Sequence, residues 1–265
     1  MTEIEFSKLT VKDVKSLLEG SNAQNYISLA SVDSRSSVQK LVAAYIKRQE
    51  KIFLEQQRIM NMYDYEGIFY DEGLYHVAGV DEVGRGPIAG PVTVAAVILP
   101  PMTIIPGLND SKKLTEEKRE ALYDIIMQEA VAVSCVSYDA NTIDRLNIYE
   151  ATRQAMYEAI HALSVPAEAV VADAMKLPDL TIPVESIIKG DSKSANIAAA
   201  SIIAKVTRDR YMVSMEQEYP GYGFDVHKGY YTELHKEALH NQGITPLHRK
   251  SFEPIKSMVG WMRNS

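Results

Sequence analysis

Four acids carry the chemistry that this chain's residue types permit. Val77-Ala-Gly-Val-Asp81-Glu82-Val-Gly84-Arg85-Gly86-Pro87 runs from a short apolar stretch into two adjacent carboxylates and a Gly-Arg-Gly. An apolar run of this length bounded by glycines predicts a buried strand. Side chains alternate along a strand, so Asp81 and Glu82 diverge unless the strand ends between them. Buried carboxylates rarely lack a partner, and an acid pair at the tip of a core strand points to a bound cation. The same pair in an exposed turn needs only water. Ala169-Val-Val-Ala-Asp173 repeats the pattern of an apolar run ending in an acid. Asp191, in Lys189-Gly190-Asp191-Ser192, stands between a strand-like and a helix-like run. Four converging carboxylates are hard oxygen ligands that suit Mg²⁺ or Mn²⁺.

Strand-like runs near 76–81, 91–99, 130–138, 168–173 and 183–189 must position these acids. The first three lie close enough in sequence to form a β-meander. Helical patterns fall near 115–129, 147–163, 192–218 and 231–241. Strands that first run together and then alternate with helices predict an α/β protein with a mixed sheet. Residues 1–70 read as a separate helical extension and 71–265 as the main domain. Thr10 is the expected cap of a short amphipathic helix. Val38–Met62 follows as one long helix that ends in the turn-like Tyr63-Asp-Tyr-Glu-Gly. The basic Lys47, Arg48, Lys51 and Arg58 on that helix fit either a substrate-binding arm or a packed helix with solvated charges.

The 265 residues, 46% of them hydrophobic, are enough for a sizeable core. A net charge of −7 argues against indiscriminate polyanion binding. Lys189–Arg210 is locally basic, with Lys189, Lys193, Lys205, Arg208 and Arg210 facing only Asp191 and Asp209. The single cysteine, Cys135, excludes an intramolecular disulfide, and its apolar run predicts burial. There is no signal-peptide pattern and no apolar run near membrane-spanning length, so a cytoplasmic protein is expected. Ser192-Lys193-Ser194 lacks the nucleophile-elbow context of a hydrolase serine. His227, His235, His240 and His248 lack the spacing and the cysteine partners of a zinc site.

Asp81-Glu82-Val-Gly84-Arg85-Gly86-Pro87-Ile-Ala-Gly90-Pro91-Val92 resembles the signature of the ribonuclease HII family. Asn109-Asp110-Ser111-Lys112-Lys113-Leu114, Ala172-Asp173, Lys189-Gly190-Asp191-Ser192, Ile197–Asp209, His227-Lys228-Gly229-Tyr230 and His248-Arg249-Lys250-Ser251-Phe252 follow in the family's order. The likeness spans roughly residues 75–255. It departs at Ala174, where the family usually has glycine.

The resemblance implies a ribonuclease H-like fold with a C-terminal helical part. It implies that Asp81, Glu82, Asp173 and Asp191 hold two divalent ions. A pair of ions about 4 Å apart activates water and relieves charge during phosphodiester hydrolysis. Gly84, Arg85 and Gly86 are then expected at the 2′-hydroxyl of the scissile ribonucleotide and Tyr230 against its sugar. Ser111, Lys112 and Lys189 are expected at phosphates. The implied activity is endonucleolytic cleavage of RNA–DNA hybrids and, on the 5′ side, of single ribonucleotides in duplex DNA, by a monomer. A ribonuclease HIII-like enzyme that needs runs of ribonucleotides is one alternative. It typically carries Glu as its fourth acid and a sheet-containing N-terminal domain, unlike Asp191 and the helices expected here. A non-catalytic nucleic-acid-binding module is the other.

Overall fold

The computed structural model describes residues 3–260. The chain divides into two compact units, Met1–Arg58 and Ile59–Ser265. In the first, helix α1 (Val11–Glu19) starts with a capping box: the Thr10 hydroxyl accepts from the Asp13 N–H, and the Asp13 carboxylate accepts from the Thr10 N–H. Phe6, Val14, Leu18, Ala30, Val38 and Val42 form this unit's own core. The long helix α2 (Ser36–Asn61) matches the predicted span to within two residues at its start.

The predicted turn after α2 is instead helix α3 (Asp64–Asp71). Its first turn carries Asp64 and Glu66, which favour the positive end of a helix dipole, and its inner face buries Glu66 and Phe69. Ile59, Met62 and Tyr63, at the α2–α3 junction, are buried in the second unit's core. Residues 59–71 therefore pack with the sheet, although the sequence pattern groups them with the extension.

That sheet has five strands in the order β3-β2-β1-β4-β5, with β1 Val77–Val83, β2 Val92–Ile98, β3 Ala132–Tyr138, β4 Ala169–Asp173 and β5 Val184–Ile187. The first three strands form the expected antiparallel meander. β4 pairs parallel to β1 and β5 parallel to β4, so the sheet is mixed. Helix α4 (Glu116–Glu129) and helix α6 (Ala195–Glu218) cover one face, where Ala95, Val97, Ile126, Ala199 and Ile203 pack together. Helix α5 (Ile148–His161) covers the other through Ala155, Met156 and Ala159 against Val80, Val94 and Ala96. Helix α7 (Glu233–Gln242) belongs to the C-terminal helical part. Cys135, expected in the core, is exposed: β3 is an edge strand whose residues alternate between core and solvent.

α6 lies unusually close to β1. A Cβ added to Gly79 would sit 2.0 Å from the Asn196 carbonyl carbon, so only glycine permits this crossing. The close contact fixes the N-terminal end of α6, and with it the Asp191 turn just before, against the central strand.

Candidate metal centre

Strand register brings the acids together. Val80 pairs with Ala172 across parallel β1 and β4, so Asp81 and Asp173 stand side by side one residue further on. Asp191 lies in the short turn Gly190–Ser192, between β5 and α6. The Gly190 N–H donates to Asp173 Oδ1 at 2.8 Å and ties this turn to the end of β4. Asp81, Asp173 and Asp191 each offer an oxygen within 4.8 Å of the others. The site lies at the carboxyl ends of parallel strands, where ligands of open α/β sheets usually bind.

Glu82 stands outside this cluster of three. β1 continues to Val83 rather than ending between the acids, so the two side chains diverge. Glu82 Oε1 meets Arg85 Nη1 at 3.3 Å, while its Oε2 is buried with no hydrogen-bond partner.

The charges are strained as they stand. Burial, then Glu82 and Asp173, push the Asp81 carboxyl well above the usual carboxylate range. The Ser201 hydroxyl and the Glu82 N–H oppose that shift only in part. Burial raises Glu82 to about 7 against the pull of Arg85. Burial, Asp110 and Asp173 raise Asp191, and Lys112, whose Nζ lies 3.5 Å from Asp191 Oδ2, opposes this. Burial acts to lower the Lys112 ammonium, but Asp81, Asp191 and Asp110 hold it above its ordinary value. Desolvated like charges disfavour ionisation, and an added cation reverses that cost. The orphaned Glu82 oxygen and the all-oxygen donor set both fit a hard divalent cation.

Beside the acids the chain bends sharply at Gly84, where φ is 90° and a Cβ would lie 2.3 Å from Arg208 Nε. Arg208 and Arg249 are both fully buried, and backbone oxygens surround them. Arg249 donates to the carbonyls of Gly84, Arg85 and Gly90, and Arg208 to those of Ala89, Pro91 and Lys228. Burial lowers them to about 9 and about 10 respectively. The two guanidinium groups thus engage the inward carbonyls of the Gly84–Pro91 loop. Among the described residues the Arg85 and Gly86 N–H groups have no acceptor. Tyr230, 50% exposed, lies over Gly86: a Cβ there would sit 3.6 Å from the tyrosine Cε1.

The chain matches the model of "Ribonuclease HII" over residues 78–255 and that of "Ribonuclease HII N-terminal domain" over 10–70. It belongs to the ribonuclease HII family. A ribonuclease HII of Bacillus cereus is 48% identical over 95% of this chain and 98% of its own length. The relative from Bacillus anthracis is also 48% identical, over the same shares. Crystalline ribonuclease H2 of Pyrococcus horikoshii OT3 is 26% identical with a TM-score of 0.60, covering 69% of this chain and 96% of its own. A ribonuclease HIII in complex with Mn²⁺, at 20% identity and a TM-score of 0.53, shares the fold over 70% of this chain and 69% of its own. Family and fold together make the protein a ribonuclease H, a phosphodiester hydrolase of the ribonuclease H-like fold.

Within this ribonuclease HII family member, the substrate residues expected from sequence fall into two groups. Gly84, Arg85, Gly86 and Tyr230 are brought together, and Lys112 stands beside Asp191. Lys189 is exposed with a left-handed backbone (φ 58°). Ser111 is buried, and its hydroxyl is 2.7 Å from that of Ser201, so it braces a neighbour of Asp81. Ala174, the departure from the family pattern, has φ 50°, a conformation that favours glycine. Arg208, Arg249 and Ser201 lie in segments that carry the family likeness, yet the sequence alone gives them no role. Apart from the Lys228 carbonyl, 20 residues from Arg208, their partners lie 90 or more residues away and leave no local pattern.

Proposed function

We propose that this protein is an endonuclease that cuts RNA–DNA hybrids and the 5′ side of single ribonucleotides in duplex DNA, leaving 3′-hydroxyl and 5′-phosphate ends. The observation that carries this reading is the Asp81–Asp173–Asp191 cluster next to a loop whose Gly84, Arg85 and Gly90 carbonyls are engaged by Arg249 while its Arg85 and Gly86 N–H groups have no acceptor among the described residues. Asp81, Asp173 and Asp191, with Glu82 alongside, would hold two divalent ions, Mg²⁺ or Mn²⁺. When bound, these ions supply activation of water and relief of charge on the phosphoryl group and leaving oxygen.

The chain's own residues set the substrate. The N–H groups of Arg85 and Gly86, without an acceptor among the described residues, would donate to a ribose 2′-hydroxyl, the group that distinguishes RNA from DNA. Tyr230, lying over Gly86, presses the sugar toward them. Lys112 and the exposed Lys189 meet flanking phosphates. A site built to hydrogen-bond a hydroxyl rejects the analogue lacking it by up to about 10⁴-fold, because its own polar groups are left unpaired.

This substrate class implies roles in ribonucleotide removal and primer processing, and the reading taken with it is that of a cytoplasmic enzyme acting as a monomer. Among the described residues no helix is long and apolar enough to cross a membrane. The test is a gel assay with Mg²⁺ on three duplexes: all DNA, one embedded ribonucleotide, and a run of four. Cutting of the second and third but not the first is expected. Cutting of the run alone would support the ribonuclease HIII-like alternative, and no cutting would leave a binding module.

A further inference from the structure

Three buried histidines lie behind Tyr230. His227, His235 and His248 come from the short helix Phe224–His227, from α7 and from the segment after Thr245. The His227 and His235 rings stack 4.4 Å apart, and Phe224 presents its edge to both.

Backbone groups fix every tautomer. The Thr245 N–H can only donate, and it lies 2.9 Å from His248 Nδ1. His248 therefore carries its proton on Nε2, which faces His235 Nε2 at 3.0 Å. That makes His235 Nε2 an acceptor and puts its proton on Nδ1, 2.9 Å from the Tyr230 carbonyl. The Gly229 N–H donates likewise to His227 Nδ1, which leaves the His227 Nε2 proton for the Tyr222 carbonyl. All six ring nitrogens are engaged with the three rings neutral. Burial agrees, lowering His235 and His248 to about 4. The cluster offers no free nitrogen for a metal.

The chain of bonds from Thr245 through His248 and His235 ends on the backbone of Tyr230. This residue lies in a stretch with no helix or strand, between Lys228 (φ 53°) and the start of α7. Its N–H is held by the His227 carbonyl at 3.0 Å and its C=O by His235.

We propose that His235 is a positioning residue for cleavage, holding the Tyr230 carbonyl through its Nδ1–H, and hence the tyrosine ring over Gly86, with its tautomer set by His248. The proposal rests on the reading of Tyr230 as the sugar contact.

The test is a double-mutant cycle on the full-length protein with the single-ribonucleotide duplex. His235→Phe keeps the ring volume and removes both nitrogens. Its kcat should fall about 10- to 100-fold, the effect of misplacing a contact by roughly 1 Å. KM and Mn²⁺ affinity, the latter from calorimetry, should change little. His235→Asn keeps an N–H donor at the δ position and should recover most of the rate. In the Tyr230→Ala background His235→Phe should cost nothing further, since its effect passes through that ring. If His235→Phe does not fold, His235→Gln, which keeps the ε acceptor and loses the δ donor, serves in the same cycle. A folded variant with wild-type kcat, or losses that multiply in the double mutant, would overturn the proposal. Tyr230→Ala at wild-type rates would overturn the sugar-contact reading and this proposal together. A slow Tyr230→Ala beside a fast His235→Phe would overturn only this one.

Discussion

At Asp191 burial, then the acidic neighbours Asp110 and Asp173, raise the carboxyl above its ordinary value, and Lys112 works against them. Two carboxylates about 4 Å apart repel by roughly 4 kcal/mol at an effective dielectric of 20. Asp191→Asn removes one of these charges and one cation ligand. Loss of a residue that merely supports a ligand typically costs 10- to 100-fold, so loss of the ligand should lower cleavage by about 100-fold or more. In EDTA the variant's melting temperature should equal or exceed that of the wild type. Added Mg²⁺ should raise the wild-type value more than the variant's, because only a tightly binding folded state gains from the ligand. A variant that melts early in EDTA would make Asp191 a structural acid and dismantle the proposed site.

Among the elements, α3 does the least expected work. Its Glu66 is fully buried, and Oε1 accepts from the Ser194 hydroxyl at 2.6 Å and the Asn196 N–H at 3.0 Å. Those groups open α6, so a carboxylate from one helix caps another directly behind Asp191. Glu66 Oε2 has no partner, and burial raises the group from 4.5 to about 7. A carboxyl with a raised folded-state pKa contributes its full stability below about 4.5 and loses it as pH rises through 7. Glu66→Gln cannot ionise, so its stability relative to wild type should grow between pH 5 and pH 8, by up to about 3 kcal/mol. Parallel denaturation curves at the two pH values would show that Glu66 stays uncharged or reaches water. The same element marks the limit of what the sequence reveals. Periodicity located the five strands and the long helices, because each has one apolar face or a continuous apolar run. The acids were legible because they end such runs. Glu66 was not, since a charged residue in a polar, Gly-containing stretch reads as solvent-exposed unless its partners, Ser194 and Asn196, are already known to lie against it. The Arg249 clamp escaped for the same reason, its carbonyl partners lying 159 to 165 residues away, and the His235–His248 pair because the fold, not a helical or strand spacing, brings together rings 13 residues apart.

On the scale of the whole molecule, the two units differ in charge and in how a truncation should treat them. Residues 1–58 hold nine Lys and Arg against seven Asp and Glu, within a chain of net −7. The catalytic unit alone is therefore the more acidic part. A chain starting at Ile59 keeps every acid of the metal cluster, the Gly84–Gly86 loop and Tyr230, and it should cut at the same phosphodiester as the full protein. It should bind more weakly, and its affinity should fall less steeply with salt, since each lost lysine–phosphate contact removes about one released counterion. Equal salt slopes for the two forms would mean that Lys47, Lys51 and their neighbours never reach the nucleic acid. Starting instead at Glu66 removes Ile59, Met62 and Tyr63, all three at most 4% exposed in the sheet's core. Large-to-small changes at such sites cost about 2–5 kcal/mol each, against a total stability of roughly 5–15 kcal/mol. The shorter form should therefore be largely unfolded where the chain from Ile59 is folded and active, a contrast that circular dichroism and the cleavage gel would read side by side. A well-folded, active protein starting at Glu66 would show that the α2–α3 junction is packing the core can do without.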